Sequence, residues 1–282
     1  MVKATNSVDE YFFCRENVIH LDAAMIGISR NNWQSIPEKR ASPKAAIEIM
    51  QKQRFDVLPM VSGERVTGYF QTSRWNDYSS PVRKSLSYKD VIPLQTHVRD
   101  LIKSFAKDHR LFYFLSNENR IAGLVTVADL NSRLVKTYLY SLLCELEIGL
   151  GKLISAHVLE GELLTMTSSK SNAGNYEKAK KRFAKDRRNG VETSFIEYLY
   201  LPNIIDVIEM KCIYRELDYS KSEFTEGHRS LIPLRNKIAH PNKMLTSIIN
   251  NVDTVDLLWS CVDLIEDALF RLRQQNKCGV NL

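Results

Sequence analysis

The chain has 282 residues, 44 % apolar and 26 % charged, a composition that excludes a disordered or collagen-like polymer and leaves room for two domains with real cores. No run approaches the roughly 20 uninterrupted apolar residues of a membrane-spanning helix, and the opening MVKATNSVDEYFF lacks the basic-then-apolar order of a secretion signal. The net charge is +6, and the stretch from Lys170 to Arg188, with eight basic residues against Glu177 and Asp186, carries all of it, which favours an anionic partner.

Residues 1–40 read as an N-terminal extension; YFF (11–13), VIHLDAAMIGI (18–28) and Trp33 are apolar enough to pack, with the first of the units that follow as the expected site. Next comes SPKAAIEIMQKQ (42–53), with apolar spacing of three and four, predicting a helix capped by Ser42 with Pro43 in its first turn. VLPMV (57–61) and VTGYF (66–70) are short, β-branched or aromatic, and joined by Ser62-Gly63-Glu64-Arg65, predicting a hairpin. The order repeats: THVRDLIKSFAKD (96–108) as helix, FYFL (112–115) and IAGLVTV (121–127) as strands. VSGERVTG and LSNENRIAG align, with Gly68 and Gly123 55 residues apart. Two units this small should pack as a pseudo-symmetric pair.

The repeat, over about residues 41–133, resembles a tandem CBS-domain pair, a module that binds adenine nucleotides between its halves. The run Gly123-Leu124-Val125-Thr126-Val127-Ala128-Asp129 carries the resemblance most specifically. It implies AMP, ADP or ATP as a regulatory ligand, with Gly123, Thr126 and Asp129 as nucleotide-binding residues: Asp129 accepts from the ribose hydroxyls, and Thr126 with nearby backbone N–H groups donates to phosphate. The plainer alternative is that Thr126 and Asp129 cap the next helix. In the first repeat the matching positions are Gln71 and Arg74, followed by Trp75, a departure that limits the pair to one well-formed ribose site.

From about residue 131 the pattern turns helical. Leu134, Tyr138, Leu142, Leu146, Leu150, Leu153 and Ile154 form one stripe, expected to continue without a break from Asp129 to about residue 160. The basic stretch follows a polar break (Thr167–Asn175). Residues 194–217 are apolar enough for a core helix that Pro202 kinks or restarts; further helices are expected from Lys221 toward His240, ended by Pro241, and over 252–275. The fold class is therefore α+β: an N-terminal α/β pair (41–133) followed by an all-α bundle (134–282).

One short string concentrates chemistry: Pro233-Leu234-Arg235-Asn236-Lys237-Ile238-Ala239-His240-Pro241. On a helix Asn236 and His240, four apart, share a face, and Arg235 lies about 140° round from His240. An arginine and a histidine within six residues, at a helix end in a bundle, resemble the Arg-x4-6-His motif of HEPN domains, many of which are metal-independent ribonucleases of toxin, phage-defence and RNA-processing systems. The resemblance extends loosely over 134–275 and implies an endoribonuclease that uses the RNA's own 2′-hydroxyl. His240 is then general acid or base, Arg235 the cation over the phosphorane, and Asn236 an orienting residue. No metal or other cofactor is implied for catalysis. A homodimer is implied, as is RNA bound along Lys178, Lys180, Lys181, Arg182, Lys185, Arg187 and Arg188, with Tyr176 and Phe183 available for stacking. The plainer alternatives are an Arg235 ion pair with an acid such as Glu226, a His240 that caps the helix, and a basic run that is a solvated face. Glu145 is a candidate neighbour of His240; Glu145 and Glu147, two apart, point to different faces.

Five cysteines (14, 144, 212, 261 and 278), odd in number and never in a C-x-x-C pair, argue for reduced thiols and a cytoplasmic location without a zinc site or disulfide. Two competing functions remain: a non-catalytic nucleotide sensor whose bundle dimerises or docks a partner, and a toxin-like nuclease neutralised by an antitoxin-like protein.

Overall fold

The computed structural model describes residues 20–72, 77–166, 172–240, 242–246 and 253–277. Helix dominates at 62 % of the described residues, with two small sheets and a helical C-terminal region, so the class is α+β. The chain forms two compact units: residues 20–136 with 244–259, and residues 137–243 with those from 260 onward.

In the α/β unit a single turn, α1 (Ala23–Ile26), precedes β1 (Ile28–Ser29) and β2 (Ile36–Pro37). The first repeat follows as α2 (Pro43–Gln53), β3 (Val57–Ser62), β4 (Arg65–Gln71) and β5 (Val82–Ser85). The second comprises β6 (Val91–Pro93), α3 (Val98–Asp108), β7 (Phe112–Asn117) and β8 (Arg120–Thr126). The sheets run β2-β3-β4-β5 and β1-β8-β7-β6.

The 55-residue period holds throughout: α2 and α3, β3 and β7, and β4 and β8 start and stop at matching positions. Even the irregularities repeat. Each helix ends on a left-handed residue, Arg54 (φ 56°) and His109 (φ 51°), and each hairpin ladder slips once, after Met60 and after Leu115. Ser42 caps α2 by accepting the Ala45 N–H at 3.3 Å, with Pro43 in the first turn.

The two glycines that define the repeat let a fourth strand approach. A Cβ on Gly123 would lie 2.7 Å from the Ile28 carbonyl, and one on Gly68 would collide with the Lys84 carbonyl. The edge strands are recruited unequally, because β5 follows the hairpin it joins whereas β1 comes from far upstream to pair with β8. The segment before residue 40 therefore completes the second repeat through β1 as well as the first through β2. Tyr69, Phe112, Phe114, Val57 and Leu124 from the two hairpins form one shared core, with Tyr69 edge-on to Phe112 at 5.1 Å.

After β8 the chain does not enter a continuous helix from Asp129. A 3-10 turn (Val127–Asn131) ends at Ser132, whose extended backbone (ψ 154°) breaks the path. The Ser132 carbonyl and hydroxyl then accept the Lys136 and Val135 N–H groups, so serine starts a new helix, α4 (Arg133–His157). Asn131 binds Thr246 and the Leu245 N–H, and Trp259 lies beside Arg99 and Lys103. These contacts hold 244–259 to the α/β unit.

The helical unit continues with α5 (Glu160–Thr165), α6 (Ala173–Arg188), α7 (Leu201–Met210), α8 (Lys221–Ala239) and the greater part of α9 (Asp253–Lys277). Pro202 restarts the helix: a 3-10 turn (Phe195–Tyr198) precedes it and α7 begins with proline in its first turn. Helix α7 is buried on all sides, including Asp206, which takes hydrogen bonds from Asn172 at 2.8 Å and Arg229 at 3.0 Å. Gly149 inside α4 lets α9 come close, since a Cβ there would meet Leu272 at 2.8 Å. No helix among the described residues is long and apolar enough to cross a membrane.

Candidate functional site

Helix α8 starts on a Ser220 capping box with Glu223 and carries Arg235 and Asn236 in its last two turns. His240 is not helical. Its backbone (φ −109°, ψ 110°) is extended, which Pro241 requires of the residue before it. The shared-face argument for Asn236 and His240 therefore ends at Ala239, and His240 leaves the helix axis, its N–H bonded to the Lys237 carbonyl at 3.3 Å.

Asn236 and His240 are exposed, while Arg235 is half-buried. Its guanidinium Nε stands 3.7 Å from Glu147 Oε1 on α4, an ion pair longer than a hydrogen bond. Burial pushes the Glu147 carboxyl up, and the Arg235 charge pulls against it without cancelling it. Tyr140, two turns earlier on α4, has its hydroxyl pushed up by a hydrogen bond with Cys144 and by the Glu147 charge, with Arg235 opposing. Arg235 is thus held by Glu147, not by Glu226. Glu145 does not serve His240: it pairs with Arg273 of α9 at 2.5 Å. Two apart on α4, the glutamates meet different helices, Glu147 facing Arg235 of α8 and Glu145 facing Arg273 of α9, and spacing along one helix does not determine which neighbour each meets.

Helix α6 sorts its residues cleanly. Tyr176, Ala179 and Phe183 are buried at helical spacing, with Tyr176 donating to the Leu163 carbonyl at 2.6 Å and Phe183 packed on Phe195 and Tyr198. That corrects the expectation that Tyr176 and Phe183 stack on bases: in a helix this polar, they are the side chains that attach it to the unit. Lys178, Lys181 and Lys185, two positions on from each buried residue and so about 200° round, form the opposite, exposed ridge. The other cations are engaged: Lys180 with Glu177 (3.2 Å), Arg182 with the Tyr200 hydroxyl (2.7 Å), Arg187 with Glu160 (3.3 Å) and Arg188 with the Ala184 carbonyl (3.2 Å). Lys170 lies outside the described residues.

In the α/β unit, Thr126 and Asp129 form a capping box: the Thr126 N–H and hydroxyl both donate to Asp129 Oδ2, at 2.7 and 2.8 Å. Oδ1 of Asp129 accepts no hydrogen bond among the described residues. Burial pushes this carboxyl up, against the pull of the two Thr126 bonds. Both residues line a cavity of about 240 Å³ with Arg54, Phe55, Asp56 and Phe112, so residues from both repeats meet there. Thr72 donates to Asp56 at 3.0 Å. Gly123 does not line it; its place is the β1–β8 contact. Arg74 and Trp75 lie outside the described residues. The sequence reading missed Arg54, Phe55 and Asp56, although the 55-residue offset that aligns Arg54 with His109 marks the same helix-to-strand corner in each repeat.

Among the described residues no three His, Cys, Asp or Glu side chains are grouped to hold a metal ion, and Cys144, Cys212 and Cys261 are free thiols. No family model matches the chain, and no curated protein matches it.

Proposed function

We propose that the protein is a metal-independent endoribonuclease of the HEPN type whose activity is governed by an adenine nucleotide bound in a CBS-like α/β unit. In this reading the RNA 2′-hydroxyl attacks the adjacent phosphorus, the 5′-oxygen leaves, and the products carry a 2′,3′-cyclic phosphate and a free 5′-hydroxyl. His240 takes or returns the proton, Arg235 neutralises the phosphorane oxygens, and Asn236 orients one of them. The chain acts as a cytoplasmic homodimer, with the Lys178, Lys181 and Lys185 ridge, flanked by Lys180, Arg182, Arg187 and Arg188, taking the RNA backbone. AMP, ADP or ATP sits at Thr126 and Asp129, whose Oδ1 accepts from ribose. The nucleotide acts on the ribonuclease only insofar as it binds one state better than another.

The observation that carries the catalytic half is the end of α8: a guanidinium paired with Glu147, followed by an exposed amide at the next residue and, five residues on and just past the helix, an exposed imidazole on an extended backbone before proline. Cleavage of single-stranded RNA in the presence of EDTA tests it. His240→Ala should lower the rate by about 10²–10⁴ and Arg235→Ala by about 10²–10³; equal rates in all three proteins contradict it. Calorimetry with AMP, ADP and ATP tests the nucleotide half: heat lost in Asp129→Ala supports it, and no heat with any of the three removes it.

The Arg235–Glu147 pair itself favours a second reading, in which the helical unit is a scaffold and the protein a non-catalytic nucleotide-binding regulator. Unchanged thermal stability with lost RNA cleavage in Arg235→Ala decides against it.

A further inference from the structure

The cavity that Thr126 and Asp129 line measures about 240 Å³, below the roughly 300–1,000 Å³ of ordinary small-ligand sites. A nucleoside-sized group fills it, and a phosphate chain is left for the rim. Two corners of the α/β unit meet on its lining: the turn from α2 into β3, with Arg54, Phe55 and Asp56, and the end of β8, with Thr126 and Asp129.

The charges on that lining choose among nucleotides. Among the described residues one cation, Arg54, stands there against two carboxylates, Asp56 and Asp129. Arg54 is exposed, set on a left-handed backbone (φ 56°) at the end of α2, and no described residue hydrogen-bonds or ion-pairs its guanidinium. Asp56 takes the Thr72 hydroxyl at 3.0 Å. The Tyr78 hydroxyl, pushed up by burial and then by the Asp56 charge with Arg54 opposing, marks the two as close neighbours. Asp129 keeps Oδ1 without a donor among the described residues, and that oxygen is not sealed from solvent. Lys84, which donates to Gln71 at 3.0 Å, is not itself on the lining. A first phosphate therefore finds one guanidinium fork. A second and third find no further cation and meet the like charge of Asp56.

We propose that this cavity selects the nucleoside monophosphate AMP over the di- and triphosphate, with Arg54 holding the single phosphate and Asp56 turning longer phosphate chains away. The assignment rests on the nucleotide reading of the α/β unit, which it narrows to one ligand, and it is independent of whether the helical unit cuts RNA. Specificity here comes from the α2–β3 corner of the first repeat, while the ribose is met by Asp129 of the second.

Calorimetry of the full chain with adenosine, AMP and ATP, in EDTA so that ATP keeps its full charge, is the test. AMP should bind at least about tenfold tighter than ATP and at least about tenfold tighter than adenosine. Arg54→Asn, a residue that suits the left-handed backbone there, should bring AMP down to the affinity of adenosine. Asp56→Asn still accepts from Thr72 and should tighten ATP more than AMP, narrowing the gap between them. Both variants should keep the wild-type circular dichroism spectrum and Tm, and the wild-type series separates the phosphate lengths even if a variant does not fold. ATP bound as tightly as AMP, or more tightly, overturns the assignment and leaves the nucleotide reading in place. So does AMP bound no tighter than adenosine, or an unchanged AMP-to-ATP ratio in a folded Asp56→Asn. No heat with any of the three ligands removes the nucleotide reading and the assignment together.

Discussion

His228 is wholly buried, stacked on Phe224 at 4.1 Å and edge-on to Tyr219 at 5.6 Å. Its Nδ1 meets the Phe224 carbonyl at 2.9 Å, while Nε2 has no partner among the described residues. Burial pushes its pKa down to about 4, against the Phe224 bond and the Asp267 charge, so the ring is neutral in the folded protein. The unfolded chain, titrating near the ordinary 6.5, binds the proton more readily. The folded state is therefore at full strength above about pH 6.5 and weakens as pH falls toward 4. Urea unfolding at pH 5 and pH 7.5 should differ by about 2 kcal/mol from this group alone, a difference that His228→Phe should remove; the same pH dependence in the variant contradicts the assignment. At this scale the sequence was readable only in part. Thr126 and Asp129 were open to two readings, ligand site or cap, and the geometry accommodates both, since Oδ2 is spent on the cap and Oδ1 is left over. Thr126→Ala should cost about 1 kcal/mol of stability by thermal denaturation; no loss shows that the capping box is idle.

Helix α6 shows at the level of an element what a composition count conceals. Eight basic residues in the stretch suggested a uniform anion track, yet burial of Tyr176, Ala179 and Phe183 fixes the rotation of the helix and leaves Lys178, Lys181 and Lys185 as its solvent ridge. Charge is legible in sequence. Which aromatic residues are left for a ligand depends on what the helix packs against, and Phe195 and Tyr198 come from a separate turn. Replacing the three ridge lysines with glutamine should lower the salt dependence of RNA binding by about 2 in log–log slope, without loss of thermal stability; an unchanged slope excludes the ridge. Phe183→Ala should instead cost about 3–5 kcal/mol of stability, measured by denaturant unfolding, and a neutral effect contradicts its role as anchor.

Across the whole molecule, the parts readable in advance were those with a period. The 55-residue repeat, both hairpins, the long apolar stripe of α4 and the restart at Pro202 follow from local pattern and turn chemistry. What escaped was non-local. The pairing of β1 with β8 spans most of the α/β unit, the break at Ser132 interrupts an apolar pattern that reads as one helix, and segment 244–259 joins the α/β unit through Asn131 and Thr246. The Arg235–Glu147 pair belongs to the same class, because helix–helix rotation and not spacing along one chain decides it. Proline was the exception: Pro241 took His240 out of the helix by a rule that could have been applied to the sequence.

The account turns on transesterification at the end of α8 without a metal. Mass spectrometry of the cut ends of a defined single-stranded RNA, incubated with the protein in EDTA, tests this most directly. The account predicts 2′,3′-cyclic phosphate termini from the wild type, at least about a hundredfold less of them from His240→Ala, and no cutting at a nucleotide that lacks its 2′-hydroxyl. Termini bearing a 3′-hydroxyl, or cutting that survives removal of that 2′-hydroxyl, contradict it.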